Sequence, residues 1–158
     1  MNLNSDVVQL TRQAWSTVTG EDLAPVELSR PFRDGDIWST VVIQGEYECG
    51  VMLCCSEALA RRMTGQMLGM AAEEISLEDT FDAIGEMVNI VGGNLKELVP
   101  GATGLSLPCV AKGNGIFERP HASQRAEFQV FQAEAELLEV IVVHQPALAG
   151  ASANGSGK

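Results

Sequence analysis

Residues 76–98, SLEDTFDAIGEMVNIVGGNLKEL, decide how the rest of the chain is read. Ser76, with Asp79 three positions on, has the spacing of a capping box that opens a helix. The helix is predicted to run to about Leu98, where Pro100 and Gly101 end it. At about 100° per residue, Ile84, Val88, Val91, Leu95 and Leu98 gather in one stripe with Phe81 close by, and this stripe should face a core. On the other side Asp82, Glu86, Asn89 and Gly93 fall within about 60° of one another. Asp82 and Glu86 are four apart, and Glu86 and Asn89 three apart, so their side chains adjoin. Gly85 and Gly92 lie on the shoulder beside Asn89.

Working outward, NSDVVQLTRQAWSTVTG (4–20) reads as an amphipathic helix. Asn4 and Ser5 are competent caps, Val7, Leu10, Ala14, Trp15 and Val18 form its stripe, and Gly20 is the stop. The stretch through APVELSRPFRDGD (24–36) reads as a connector. IWSTVVIQ (37–44) and YECGVMLCC (47–55) flank Gly45-Glu46 and predict two antiparallel strands joined by a tight turn. Ser56 caps a helix whose apolar side is Leu59, Met63, Met67 and Leu68. After the long helix come three strand candidates, GLSLPCVA (104–111), RAEFQVFQAE (125–134) and ELLEVIVVH (136–144), the last apolar enough for a central strand. PALAGASANGSGK (146–158) has the composition of a disordered tail. The expected architecture is α+β, with one domain over residues 1–145: a single antiparallel or mixed sheet packed against two or three helices.

Composition narrows the partners. A chain of 158 residues with 46% hydrophobic and 20% charged residues can bury a real core as one soluble domain. Its net charge of −11 argues against nucleic acid and against anionic membrane surfaces, both of which attract Lys and Arg rather than carboxylates. No window approaches the roughly 20 apolar residues of a membrane helix, and the N-terminus lacks the pattern of a secretory signal. Cys49, Cys54, Cys55, Cys109, His121 and His144 show no metal-ligand spacing. They read as reduced, mostly buried thiols and isolated imidazoles of a cytoplasmic protein.

The glycines carry an energetic question. Three in a helix interior cost roughly 3 kcal/mol relative to alanine, a noticeable share of a stability of about 5–15 kcal/mol. Bare backbone compensates where another group must approach closely. That group belongs either to a partner or to this protein's own fold, and the spacing leaves both open. Glu with Asn is an unusual pair for a self-contained enzyme, since no nucleophile stands nearby to be activated. An amide can hold a water, however, and phosphoryl transfer depends mainly on positioning, so the phosphoryl group and its metal could belong to a partner.

DAIGEMVN (82–89) resembles the D/S-x-x-x-E-x-x-N signature of the CheC/CheX/FliY phosphatases of bacterial chemotaxis. GVMLCCSEALARRMTGQMLG, NIVGGNLK and LSLPCVAKG resemble the CheX branch, and the likeness extends over roughly residues 5–145. The resemblance implies dephosphorylation of a response-regulator receiver domain of the CheY kind. Asn89 would enter the receiver's acidic pocket and orient the attacking water, and Glu86 would pair with the receiver's active-site lysine. Asp82, Gly85, Gly92, Gly93 and Lys96 would contact the partner. Mg²⁺ would come with the receiver, and this chain would need no cofactor of its own. No second signature is present, because Ser56 is followed by Ala60 and Met63 where Glu and Asn belong. A single copy favours the X-type branch and implies a homodimer. Pro108 fills the place of a family proline at shorter spacing, which points to a remodelled loop after the helix.

Two other readings use the same residues. One is a CheX-like module that binds a receiver or scaffold without hydrolysis; the other is a structural component of a flagellar switch-type assembly, which has no need of the Asp82–Glu86–Asn89 strip. A free-standing hydrolase of small phosphoesters lacks a basic cradle or a Gly-rich phosphate loop.

Overall fold

The computed structural model describes residues 3–31, 33–113 and 125–144, so the 146–158 tail and His121 lie outside the described residues. In chain order the elements are α1 (Leu3–Thr19), β1 (Ala24–Val26), β2 (Ile37–Gly45), β3 (Cys49–Cys55), α2 (Glu57–Leu68), a 3-10 turn (Ala72–Glu74), α3 (Leu77–Lys96), β4 (Ala102–Leu105), β5 (Cys109–Lys112), β6 (Ala126–Ala133) and β7 (Glu136–His144). The strands form one sheet in the order β1-β6-β7-β3-β2-β4, with β5 also paired to β2. Every pairing is antiparallel. β7 and β3 sit at the centre, as the apolar run ELLEVIVVH requires, and both are almost wholly buried.

Alternation along the central strands separates two cores. Ile37, Val41, Ile43, Val51, Leu53, Val140 and Val142 face the three helices, where Trp15, Leu59, Met63, Ile84, Val88, Val91 and Leu95 meet them. Trp38, Met52, Cys54, Ile141 and Val143 form a smaller cluster on the opposite face. Both helix caps read from the sequence are in place. Ser56 Oγ accepts from the Leu59 amide at 3.1 Å. Ser76 Oγ accepts from Asp79 N at 3.0 Å, while Asp79 Oδ2 accepts from Ser76 N at 3.3 Å.

Several expectations change. The connector contains β1, which pairs with β6 through Ala24–Val26, and a buried ion pair. Arg30 donates two 2.7 Å bonds to the Asp36 carboxylate, and both side chains are sealed from solvent. Burial opposes the guanidinium charge, but the Asp36 hydrogen bonds and the attraction of nearby negative charge together outweigh it and leave the Arg30 pKa raised. Such a pair is costly to break, about 3–5 kcal/mol when one partner is removed. The strand expected over 104–111 is two strands. β4 and β5 both lie along β2, and residues 106–108 between them leave the ladder at Pro108, which has no N–H to offer. Gly45 ends β2 rather than making the turn, because β4 crosses it so closely that a Cβ there would lie 2.3 Å from the Gly101 carbonyl oxygen. The hairpin loop is therefore Glu46–Glu48. α3 stops at Lys96, and Leu98 and Leu68, both assigned to apolar stripes, are largely exposed. Cys49, Cys54 and Cys55 are buried and free, while Cys109 is exposed. Burial pushes the Cys55 thiol up to about 12 and raises Cys54 as well, so neither supplies a thiolate.

The seating of α3 fixes everything on its outer face. Gly92 is buried against β2, and a Cβ at that position would stand 2.5 Å from Val41 Cγ2. Gly93, one residue on, would meet nothing nearer than Leu105 Cδ2 at 4.0 Å. Denaturant unfolding should separate the two. Gly92→Ala is expected to lose about 1–3 kcal/mol through overpacking, whereas Gly93→Ala should gain up to about 1 kcal/mol from helix propensity. Equal effects at the two positions would contradict this seating.

Candidate functional site

With Gly92 against β2, the turns of α3 that carry Asp82, Glu86 and Asn89 look outward. Asp82 and Glu86 are exposed and Asn89 is half-buried. Among the described residues none of these three side chains is engaged in a hydrogen bond or an ion pair. Glu86 and Asn89 stand one turn apart, about 4.5 Å along the axis, so one ligand group can meet both. Lys96, half-buried in the last turn, is the nearest helix cation, placed where the negative end of the helix dipole favours it. The crest is thus acidic toward its N-terminal half and presents hydrogen-bonding groups that the fold itself does not consume.

The glycine shoulder is turned toward this chain's own sheet. Gly85 and Gly92 are buried, and the groups that approach them belong to this chain. Pro108 and Val110 lie where a Gly85 Cβ would touch them at 3.4–3.7 Å, and Val41 lies against Gly92. Their bare backbone admits β2 and the segment after β4, because that segment runs back along the helix beside Asn89. Gly93 is only half-buried and remains on the open side.

Two apolar margins border the crest. On the glycine side stands Leu107, 89% exposed, between the anchored residues Ser106 and Pro108. Reading residues 104–111 as one continuous strand hid it; the signal was Pro108, which breaks the ladder and lets the preceding residue turn out. On the other side a shallow groove of about 460 Å³ separates α1 from α3, lined by residues that include Leu10, Ala14, Thr17, Ile90 and Leu98. A larger hollow of about 780 Å³ lies between α1 and β6, where Arg12 forms an exposed 2.9 Å pair with Asp22. It is larger, but its one carboxylate, Asp22, is held by Arg12 and kept below the usual carboxylate range, so size alone does not select it.

The remaining polar clusters are structural. His144 is buried at the end of β7, with Nδ1 2.6 Å from Tyr47 Oη and Nε2 3.1 Å from Glu127 Oε2, tying the β2–β3 loop to β6. Glu57 bridges Arg61 and Lys112, whose hydrogen bonds hold its carboxyl below the usual range. Among the described residues no group of three or more His, Cys, Asp or Glu side chains could hold a metal ion, and no helix is long and apolar enough to cross a membrane.

Comparison with known proteins agrees with this fold. Residues 37–131, which include β2 through most of β6 and the whole crest, match the family model described as chemotaxis phosphatase CheX. Among solved structures, a chemotaxis protein CheX from Desulfovibrio desulfuricans has a TM-score of 0.74 at 21% identity, over 92% of this chain and 100% of that one. CheX from Vibrio vulnificus gives 0.74 at 17% identity, over 92% and 97%. The CheX of a CheX–CheY–BeF3–Mg²⁺ complex from Borrelia burgdorferi gives 0.72 at 13% identity, over 89% and 96%. No curated protein matches the chain. Since the family model spans more than half of its length and includes the helix bearing Glu86 and Asn89, the chain belongs to the chemotaxis phosphatase CheX family.

Proposed function

We propose that this protein accelerates hydrolysis of the aspartyl phosphate on a CheY-like receiver domain, with α3 as the element that enters the receiver's pocket. The observation that carries the reading is an exposed, unpartnered carboxylate and a half-buried, unpartnered amide one turn apart on a helix whose buried face is fully committed. A self-contained catalyst would gather its own base or metal around such a pair. Here the missing parts are those a phosphorylated receiver brings: the phosphoryl group, Mg²⁺ and a lysine. The CheX–CheY complex, which carries BeF3 and Mg²⁺, shows that a relative of this fold meets a receiver.

In this mechanism the Asn89 carboxamide accepts one hydrogen bond from a water and donates another toward the phosphoryl oxygens, aligning the water with the breaking bond. The water oxygen attacks phosphorus, the bond from phosphorus to the aspartyl oxygen breaks, and inorganic phosphate and a free carboxylate leave. Glu86 pairs with the receiver lysine and sets the depth and rotation of the helix. Asp82, a turn before Glu86, Gly93, beside the crest, and Lys96, about two turns after Asn89, contact the rim. A homodimer with one crest per subunit belongs to the same proposal. Catalysis of this kind is positioning rather than bond-making by the protein, which is why an amide suffices.

Following phosphate release from a phosphorylated receiver, Asn89→Ala should cut the acceleration by about 10²–10³-fold, the usual worth of one oriented group at the reacting centre, while receiver binding stays near wild type. An Asn89→Ala protein as fast as wild type would remove the mechanism. If the wild-type chain binds the receiver without speeding hydrolysis, it is a binding module. Glu86→Lys reverses the sign of the proposed lysine contact and should weaken receiver binding by about 10–100-fold, measurable by calorimetry. Unchanged affinity would show that Glu86 does not face a cation.

A further inference from the structure

We infer that Leu107 is a docking anchor for the receiver, an apolar knob that seats against the receiver surface beside the pocket entered by Asn89. The inference rests on the receiver reading above and adds a residue to it.

A lone exposed leucine needs no explanation in itself; its place and its rigidity do. Leu107 is 89% exposed, more than any other large apolar side chain among the described residues. The backbone on both sides is fixed. Ser106 N donates to the Val42 carbonyl at 2.9 Å, and its Oγ accepts from Val42 N at 2.8 Å. The same Oγ donates to the Leu107 carbonyl at 3.2 Å. Pro108 rests against Gly85, and β5 then rejoins β2 from Cys109. A leucine held this way gives up little backbone freedom on binding.

Its position follows from the glycines. Leu105 lies against Gly92, and Pro108 lies against Gly85, so the residues between them pass the flank of α3 midway, where Asn89 stands. A helix is about 10–12 Å across. A standard interface buries about 800 Å² per partner, a disc of roughly 16 Å radius. A receiver pocket that takes in Glu86 and Asn89 therefore covers Leu107 as well. Exposed ion pairs alone contribute little, and a few well-packed, desolvated side chains near the centre of a contact carry most of its strength. The acidic crest supplies orientation toward a receiver lysine, and Leu107 supplies the apolar burial next to it.

The test is binding of the full chain to a receiver domain charged with beryllofluoride and Mg²⁺, with phosphate release measured in parallel. Leu107→Ser should raise the dissociation constant about tenfold, the worth of one apolar side chain withdrawn from water. It should leave the melting temperature and the maximal rate at saturating receiver unchanged, and Leu107→Met should restore affinity. Leu28→Ser, which changes an exposed leucine following β1 at the opposite sheet edge, should have no effect. Wild-type affinity in Leu107→Ser would overturn this inference and leave the receiver reading standing. Failure of the wild-type chain to bind any charged receiver would overturn both. Loss of self-association in Leu107→Ser, with receiver binding intact, would assign the knob to a second copy of this chain and overturn the inference as well.

Discussion

The contact between the bare backbone of Gly92 and Val41 of β2 sets the roll of α3, and the roll decides which residues the protein can offer to a partner. A helix of 20 residues presents each side chain about 100° from the last. Turning it by one position would bury Glu86 and expose Met87. The glycine gives up about 1 kcal/mol of helix propensity and in return lets the helix settle onto the sheet in one rotation. Gly85 does the same for the segment carrying Pro108, which closes the shoulder beside Asn89. The polar crest is the outward consequence of an inward packing constraint.

Three polar clusters among the described residues keep their groups occupied. Arg30 and Asp36 satisfy each other in the buried connector, His144 is held between Tyr47 and Glu127, and Glu57 is shared by Arg61 and Lys112. Against that background Glu86 and Asn89 stand out because the fold asks nothing of them. An unattached carboxylate and amide on a rigid helix are suited to complete someone else's site. The net charge of −11, which counts against a phosphate-binding protein taken alone, suits contact with a partner that carries its own metal and lysine.

Much of this was local enough to read from the chain. The caps at Ser56 and Ser76, the apolar period of α1 and α3, and the continuous run of β7 each depend on neighbours within a turn or a strand. The side of α3 that faces water was legible for the same reason. What failed depended on distant partners. β1 exists because β6 lies beside it, the Arg30–Asp36 pair because the sheet buries it, and the role of Gly45 because β4 crosses there. The glycine shoulder was ambiguous in sequence, since periodicity shows that space is left but not who fills it. Leu107 was hidden by a strand reading that ignored what Pro108 does to a ladder.

The central claim is that Asn89 works inside another protein's pocket. The most direct measurement is nuclear magnetic resonance of the Asn89 side-chain amide while a receiver charged with beryllofluoride and Mg²⁺ is added. The account predicts that this amide shifts strongly, and that the shift fades when beryllofluoride is withheld. An Asn89 amide that stays in place while the β1–β6 edge responds would contradict it.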